Sequence, residues 1–283
     1  MYKLIASDMD ETLLNDNHQI CQHNIDMILK AKEKGVKFVP ATGRGFMSIQ
    51  HDLKTLGLYD ELGEYVISFN GGALTENKDN QILFFEGLSF EKTKEIFEFG
   101  LDCHVCQHIY TKDTVYVFNL SESEAQRIQN QKVECVIMEE NTIDFLKDQP
   151  ISKILYQNTD VPYLTSLEPQ MKHIWEGECA VSYSSNRYME FNKLGVDKGA
   201  GLKHLAEILG IGIEETIAVG DNYNDMSMLQ VAGLSVAAAN AVDDVKKEAD
   251  FVTEKNNNQD AVAEIITKML NHDYDVVVEK CNE

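Results

Sequence analysis

Four short segments of this chain hold side chains that could do chemistry together. The first is Asp8-Met9-Asp10-Glu11-Thr12, directly after the apolar run from Tyr2 to Ser7. Carboxylates two apart on an extended segment point the same way, and they repel each other unless a cation or a shared proton intervenes. Ligation by oxygen alone selects a hard ion. Mg²⁺ is the simplest choice, because it accepts one or two carboxylates and keeps waters that a phosphate can replace. Taken singly, such a pair could equally cap a turn.

The second segment is Ala41-Thr42-Gly43-Arg44-Gly45, where a hydroxyl, a permissive glycine and a cation follow an apolar run. Backbone N–H groups near Gly43 could cradle an oxyanion, although a glycine-rich turn reads the same way. The third is Lys198, in Gly195-Val196-Asp197-Lys198-Gly199 at the start of a helix. The helix dipole disfavours a cation there, so an anionic partner would explain it; a solvated lysine is the plainer reading. The fourth is Gly220-Asp221-Asn222-Tyr223-Asn224-Asp225, which again follows an apolar run and again could be only a turn.

Periodicity supplies the elements that must position these groups. Tyr2–Ser7 reads as a strand, Ile25, Ile28 and Leu29 mark a helix face, Val36–Ala41 is a second strand, and a helix passes through Phe46, Ile49, Leu53 and Leu56 to a third strand at Tyr65–Phe69. Such a β-α-β-α-β succession predicts a Rossmann-like, doubly wound parallel sheet covered by helices. Gly71-Gly72 and Asp79-Asn80 bracket a hairpin over Ala73–Glu86. Residues 87–190 have another rhythm, that of an α+β insert with helices on one face of its sheet. Expected there are a helix at Phe90–Phe99, strands at Cys103–Tyr110 and Thr114–Phe118, helices at Ser121–Gln131 and Asn141–Asp148, a strand at Ser152–Gln157, a helix at Val161–Trp175, and strands at Cys179–Ser184 and Tyr188–Phe191. The βα rhythm then returns, with Leu202, Leu205, Ile208 and Leu209 striping a helix before the strand Thr216–Val219. The chain is thus an α/β core of residues 1–86 and 191–283 around an inserted cap of residues 87–190. The acidic tail at 271–283 has no evident role.

All four segments lie at strand carboxyl ends or at the helix start facing them, where open α/β sheets place ligands. Their combination and order resemble the haloacid dehalogenase superfamily: Asp-x-Asp-x-Thr, a Thr after the second strand, a Lys, then Gly-Asp-x-x-x-Asp. Ala41-Thr42-Gly43-Arg44, Asn70-Gly71 and Gly220-Asp221 through Asn224-Asp225 resemble its Cof-type phosphatases more narrowly, and that group carries an α/β cap at the place of this insert. One departure is Ala261, which stands where the family's Asn-x-x-x-Gly-Val-Ala has its glycine.

The resemblance implies a Mg²⁺-dependent phosphatase acting on small phosphorylated metabolites. Asp8 would be the nucleophile that forms an aspartyl-phosphate, and Asp10 the general acid and base. Mg²⁺ would sit on Asp8, the Asp10 main-chain carbonyl and Asp221, with Asp225 in support. Thr42, Gly43, Met9, Lys198 and Asn224 would hold the phosphoryl oxygens, and Arg44 would bear on substrate selection. The cap would close over the crevice and read the leaving group, with Asn186 and Arg187 as candidates. A phosphomutase would use the same aspartyl-phosphate. A phospho-accepting receiver module fits less well, because its aspartate lies far deeper in the chain. A binding protein with a relict site would not need every chemical position filled, and a dinucleotide-binding oxidoreductase would need a G-x-G-x-x-G that is absent here.

Composition excludes other partners. The 283 residues carry 47 Asp and Glu against 25 Lys and Arg, for a formal charge of −22. No basic run serves nucleic acid or an anionic membrane surface. No apolar run approaches a membrane span and no secretory signal is evident, so a cytoplasmic protein is expected. Six cysteines over this length do not make a disulfide framework. Cys103-His104-Val105-Cys106 with His108 imitates a metal motif but lacks a second Cys pair, so ordinary thiols are expected.

Overall fold

The computed structural model describes residues 2–131 and 134–271 and divides them into two compact units, 2–84 with 197–271, and 85–196. The second unit therefore starts two residues before the expected cap and runs six residues past it. Cross-strand pairing explains the longer end, since Cys179 pairs with Lys193 and holds residues 191–193 in the second unit's sheet. The tail beyond 271 lies outside the described residues.

The chain runs β1 (Leu4–Ser7), α1 (Gln22–Glu33), β2 (Lys37–Pro40), α2 (Gln50–Thr55), β3 (Tyr65–Ser68), β4 (Ala73–Glu76) and β5 (Gln81–Phe85). It continues through α3 (Phe90–Leu101), β6 (Cys106–Thr111), β7 (Val115–Phe118), α4 (Glu122–Gln131), β8 (Val136–Ile137), β9 (Ile151–Gln157), α5 (Val161–Leu167), α6 (Lys172–Trp175), β10 (Cys179–Ser184) and β11 (Tyr188–Lys193). It closes with α7 (Lys198–Leu209), β12 (Thr216–Gly220), α8 (Met226–Val231), β13 (Leu234–Ala237), α9 (Asp243–Glu248), β14 (Phe251–Val252) and α10 (Ala261–Leu270).

In the first unit the strands order β14-β13-β12-β1-β2, and every pair is parallel. Both faces are covered, which is why these strands are continuously apolar rather than alternating. Leu4 and Ala6 of β1 enter a cluster with Leu202, Leu205 and Met228. After β1 the chain adds β2 on one side and later β12 on the other, so the end of β1 is a topological switch point, where a crevice opens in such sheets. The third strand departs from expectation. Among the described residues β3 pairs with the parallel sheet only through the single bridge Ala41↔Ile67 and otherwise forms a separate three-stranded sheet, β3-β4-β5. Its turn at Asp79 and Asn80, both with positive φ, makes the expected hairpin. Two residues assigned to helix faces, Leu29 and Ile208, are exposed, while Met27 and Ala206 turn inward instead.

The second unit is a six-stranded sheet in the order β10-β11-β9-β6-β7-β8. One face carries Ile109, Phe118, Ile154, Tyr156, Met189 and Phe191 into a core with Ile96 and Phe97 of α3 and Leu164 of α5. Three expectations fail here. Asn141–Asp148 forms only a single 3₁₀ turn at Asp144–Leu146, which suffices to bury Ile143 and Leu146 three residues apart. Val161–Trp175 breaks into α5 and α6 around Pro169, which lacks an amide hydrogen and clashes with the preceding turn. The strand expected from Cys103 begins only at Cys106, because the Cys103 backbone still belongs to the turn ending α3, where its N–H donates to Gly100 C=O at 3.2 Å. Cys103 and Cys106 are both free thiols, and burial pushes the Cys106 thiol up to about 12, as expected for structural cysteines. No helix among the described residues is long and apolar enough to cross a membrane.

Candidate active site

Asp8 leaves β1 into a five-residue π-type turn, Met9–Leu13, closed by Leu14 N–H donating to Met9 C=O at 2.8 Å. Asp10 stays extended and Glu11 adopts φ +61, a left-handed conformation that costs a side-chain-bearing residue roughly 1 kcal/mol or more. The two carboxylates differ in exposure. Asp8 is 6% exposed, whereas the Asp10 side chain is 45% exposed. The buried Thr12 hydroxyl donates to Asp221 Oδ1 at 2.6 Å, tying the first loop to the fourth segment.

Lys198 is the first residue of α7, which Asp197 caps by accepting from Ala200 N–H at 2.8 Å. The Lys198 side chain has no exposure. Its Nζ donates to Asp8 Oδ1 and, at 2.6 Å, to Asp225 Oδ1. The other Asp225 oxygen accepts from the N–H groups of Asp221 and Asn222 at 2.9 and 3.0 Å. Gly220 permits this approach, since a Cβ there would lie 2.5 Å from the Cβ of Asp225. Ligand oxygens of Asp8, Asp221 and Asp225 come within 4.8 Å of one another, the one such group of potential metal ligands among the described residues.

Three buried carboxylates around one ammonium carry an excess of negative charge. Burial, then Asp225, pushes the Asp8 carboxyl well above the usual range, and Lys198 opposes this only in part. Burial likewise raises Asp221 to about 7, against the Thr12 hydrogen bond that favours its ionised form. Burial works to strip the proton from Lys198, but Asp225 and Asp8 outweigh it and hold the ammonium charged. A hard divalent cation placed against these oxygens removes the mismatch, so the residues fit Mg²⁺.

The second segment lies on a loop laced to β3. Thr42 N–H donates to Ile67 C=O at 2.8 Å, and Thr42 C=O accepts from Asn70 N–H at 2.9 Å. Thr42 is 1% exposed, and its hydroxyl accepts from Arg44 N–H at 3.0 Å. The Asn70 side chain fills the space beside Gly43, where a Cβ would stand 3.1 Å from its Oδ1, and accepts from Asn224 Nδ2 at 3.4 Å. Asn70 thus joins the loops of Gly43 and Asn224, a role that only its Asn-Gly motif hinted at. Arg44 lies closer to the acid–base candidate than its expected part in substrate selection implied. Its Nε donates to Asp10 Oδ2 at 2.8 Å, and its second nitrogen bonds Asp10 Oδ1. Met9 is fully buried.

Asn186 and Arg187 belong to the second unit. Asn186 has φ +49 in the turn between β10 and β11, and Arg187 lies 3.5 Å from the buried Glu124 carboxylate. Ala261 is the first residue of α10, while the left-handed position is Asp260 before it. A glycine at 261 is therefore not needed for backbone reasons.

Residues 5–266 match the model of the haloacid dehalogenase-like hydrolases. The chain is 31% identical to YxeH of Bacillus subtilis (strain 168) over 270 residues, covering 95% of this chain and 99% of YxeH. It is 27% identical over 296 residues to YwtE of the same organism, named as a 5-amino-6-(5-phospho-D-ribitylamino)uracil phosphatase, covering 96% and 99% of the two chains. A haloacid dehalogenase-like hydrolase from Bacteroides thetaiotaomicron has a similar structure, with TM-score 0.84 and 32% identity over 95% of this chain and all of that one. The chain belongs to the haloacid dehalogenase-like hydrolases. It is an enzyme of the phosphatase kind found in that family.

Proposed function

We propose that this protein is a Mg²⁺-dependent phosphatase that hydrolyses small phosphomonoesters, sugar phosphates or related metabolites, through an aspartyl-phosphate on Asp8. The observation that supports this most is the contact of a fully buried ammonium, Lys198, with a buried carboxylate, Asp8, at the sheet's switch point. Such a carboxylate is held in one orientation and stripped of water, as a nucleophile must be.

An Asp8 oxygen attacks phosphorus, the phosphorus–oxygen ester bond breaks, and Asp10 gives its proton to the departing alkoxide. Water then attacks the acyl phosphate, Asp10 takes the water's proton, and phosphate leaves with Asp8 restored. Lys198, the Thr42 hydroxyl, the Gly43 and Met9 N–H groups and Asn224 carry the phosphoryl oxygens. Asp8, the Asp10 carbonyl and Asp221 would hold Mg²⁺, which would supply positive charge that lets an anionic nucleophile meet an anionic ester. Asp225, with both oxygens already engaged, orients Lys198 and the Asp221 loop. Asn186 and Arg187 remain the candidates for leaving-group selection.

The Arg44–Asp10 pair adds a condition. A guanidinium on both Asp10 oxygens competes with the proton that Asp10 must carry for the leaving group, so Arg44 must shift towards the substrate as Asp10 engages. Arg44→Ala should therefore lower kcat/KM about 10- to 100-fold, the worth of one charge-assisted hydrogen bond. Steady-state kinetics on any accepted phosphomonoester checks this.

Asp221 also gives a pH dependence. Its folded-state pKa of about 7 exceeds the ordinary 3.8, so between those values the metal-free folded protein holds a proton that the unfolded chain lacks. The stability this proton confers is complete below about pH 4 and is lost as pH rises through 7. Mg²⁺ competes with that proton. The rise in melting temperature on adding Mg²⁺ should accordingly be larger at pH 8 than at pH 6, and equal rises would contradict a protonated Asp221 at the metal position.

The deciding assay is incubation of purified protein and Mg²⁺ with a panel of phosphorylated metabolites, including 5-amino-6-(5-phospho-D-ribitylamino)uracil, scored for free phosphate and for isomerised sugar phosphate. Free phosphate supports the reading. Isomer without phosphate makes the enzyme a mutase, and neither product from any member counts against both.

A further inference from the structure

The turn between β13 and α9, residues 238–242, supplies no group to the chemistry above, yet it is bonded to both loops that bear the metal-binding carboxylates. Ala238 N–H donates to Gly220 C=O at 3.0 Å and Val242 N–H to Asp221 C=O at 2.9 Å, so the turn is fastened to the Asp221 loop. From its middle, Asn240 reaches the other loop: its Nδ2 donates to Glu11 C=O at 2.7 Å. Its Oδ1 accepts from Asn257 N–H at 3.0 Å. Asn257 in turn donates from Nδ2 to Leu14 C=O at 3.2 Å and to Asp16 Oδ1 at 3.1 Å.

Glu11 is the left-handed residue of the π-type turn, immediately after the Asp10 carbonyl assigned to the metal. A strained residue persists only where its surroundings over-determine it, and its own carbonyl is held here by one side chain from a distant segment. Asn240 is exposed and adds nothing to the apolar core, so its two hydrogen bonds are what it contributes.

We infer that Asn240 is a positioning residue for the metal site, fixing the spacing of the Asp8–Asp10 loop relative to the Asp221 loop and thereby setting Mg²⁺ affinity. The inference rests on the metal reading above. Partners that orient ligands in this way typically change metal affinity or activity by about 10- to 100-fold when removed.

Calorimetric titration of the whole protein with Mg²⁺ alone, without substrate, tests it. Asn240→Ala should weaken the Mg²⁺ Kd about 10-fold. Asn240→Ser, whose hydroxyl is too short to reach Glu11, should do the same and serves if the first variant folds poorly. Asn257→Ala provides the contrast. It removes bonds to Leu14 and Asp16 but keeps the backbone N–H that Asn240 uses, so it should lower the melting temperature while changing the Mg²⁺ Kd less than Asn240→Ala does. A folded Asn240→Ala protein binding Mg²⁺ within twofold of wild type overturns the inference and leaves the metal reading standing. Wild-type protein that binds no Mg²⁺ overturns the metal reading, and the inference with it.

Discussion

Asp8→Asn is expected to lower kcat by about 10⁴-fold or more, the scale on which removing an enzyme's nucleophile acts. The substitution keeps the size of the side chain and one oxygen towards Lys198, so the pocket stays filled. It also removes a buried carboxylate that desolvation, Asp225 and Asp221 all disfavour in its charged form. The melting temperature in Mg²⁺-free buffer should therefore be no lower than that of wild type. Wild-type turnover in a folded Asp8→Asn protein would end the aspartyl-phosphate mechanism. Asp10→Asn should be milder, about 10²- to 10⁴-fold, because it removes proton transfer and leaves the nucleophile in place. Equal losses in the two variants would mean that the two carboxylates do not divide the work as proposed.

Lys198→Met is expected to act on stability as strongly as on activity. With the ammonium gone, Asp8 and Asp225 lose their shared partner, and both are buried. Removing one member of a buried pair leaves uncompensated charge and costs about 3–5 kcal/mol. Chemical denaturation of the metal-free protein measures this loss. The double variant Lys198→Met with Asp225→Asn should regain part of the stability and none of the turnover, because the charge mismatch shrinks while the phosphoryl group still lacks its cation. Mg²⁺ should stabilise the single variant more than it does wild type, since the ion becomes the one cation left at the carboxylates. A Lys198→Met protein as stable as wild type would show that the ammonium matters little to the fold.

Much of this is legible in the sequence itself. Three of the four reactive segments follow an apolar run, the fourth opens a helix, and each carries its own signature. Asp8 and Asp10 follow β1, Thr42 to Arg44 follow β2, Lys198 opens α7, and Asp221 to Asp225 follow β12. These are local facts, set by hydrophobic periodicity and by which residues tolerate a strand's end. The structure departs from the sequence reading where a local pattern meets a local exception. Pro169 divides a helix whose apolar spacing continues across it. Asn141–Asp148 had helical spacing over a stretch that closes only one turn.

What the residues determine by themselves is the inventory: four carboxylates (Asp8, Asp10, Asp221 and Asp225), a hydroxyl, a lysine and an arginine, each at the end of an element, in an order shared with one enzyme family. The tertiary structure alone decided the pairings. Lys198 meets Asp8 across 190 residues and Thr12 meets Asp221 across 209. Arg44 closes on Asp10, Asn70 links the loops of Gly43 and Asn224, and Asn240 reaches Glu11. Periodicity records which face of an element is apolar, but not which element lies beside it. Side-chain partners follow from strand order, register and the path of the loops, and these are settled only when the whole sheet packs at once.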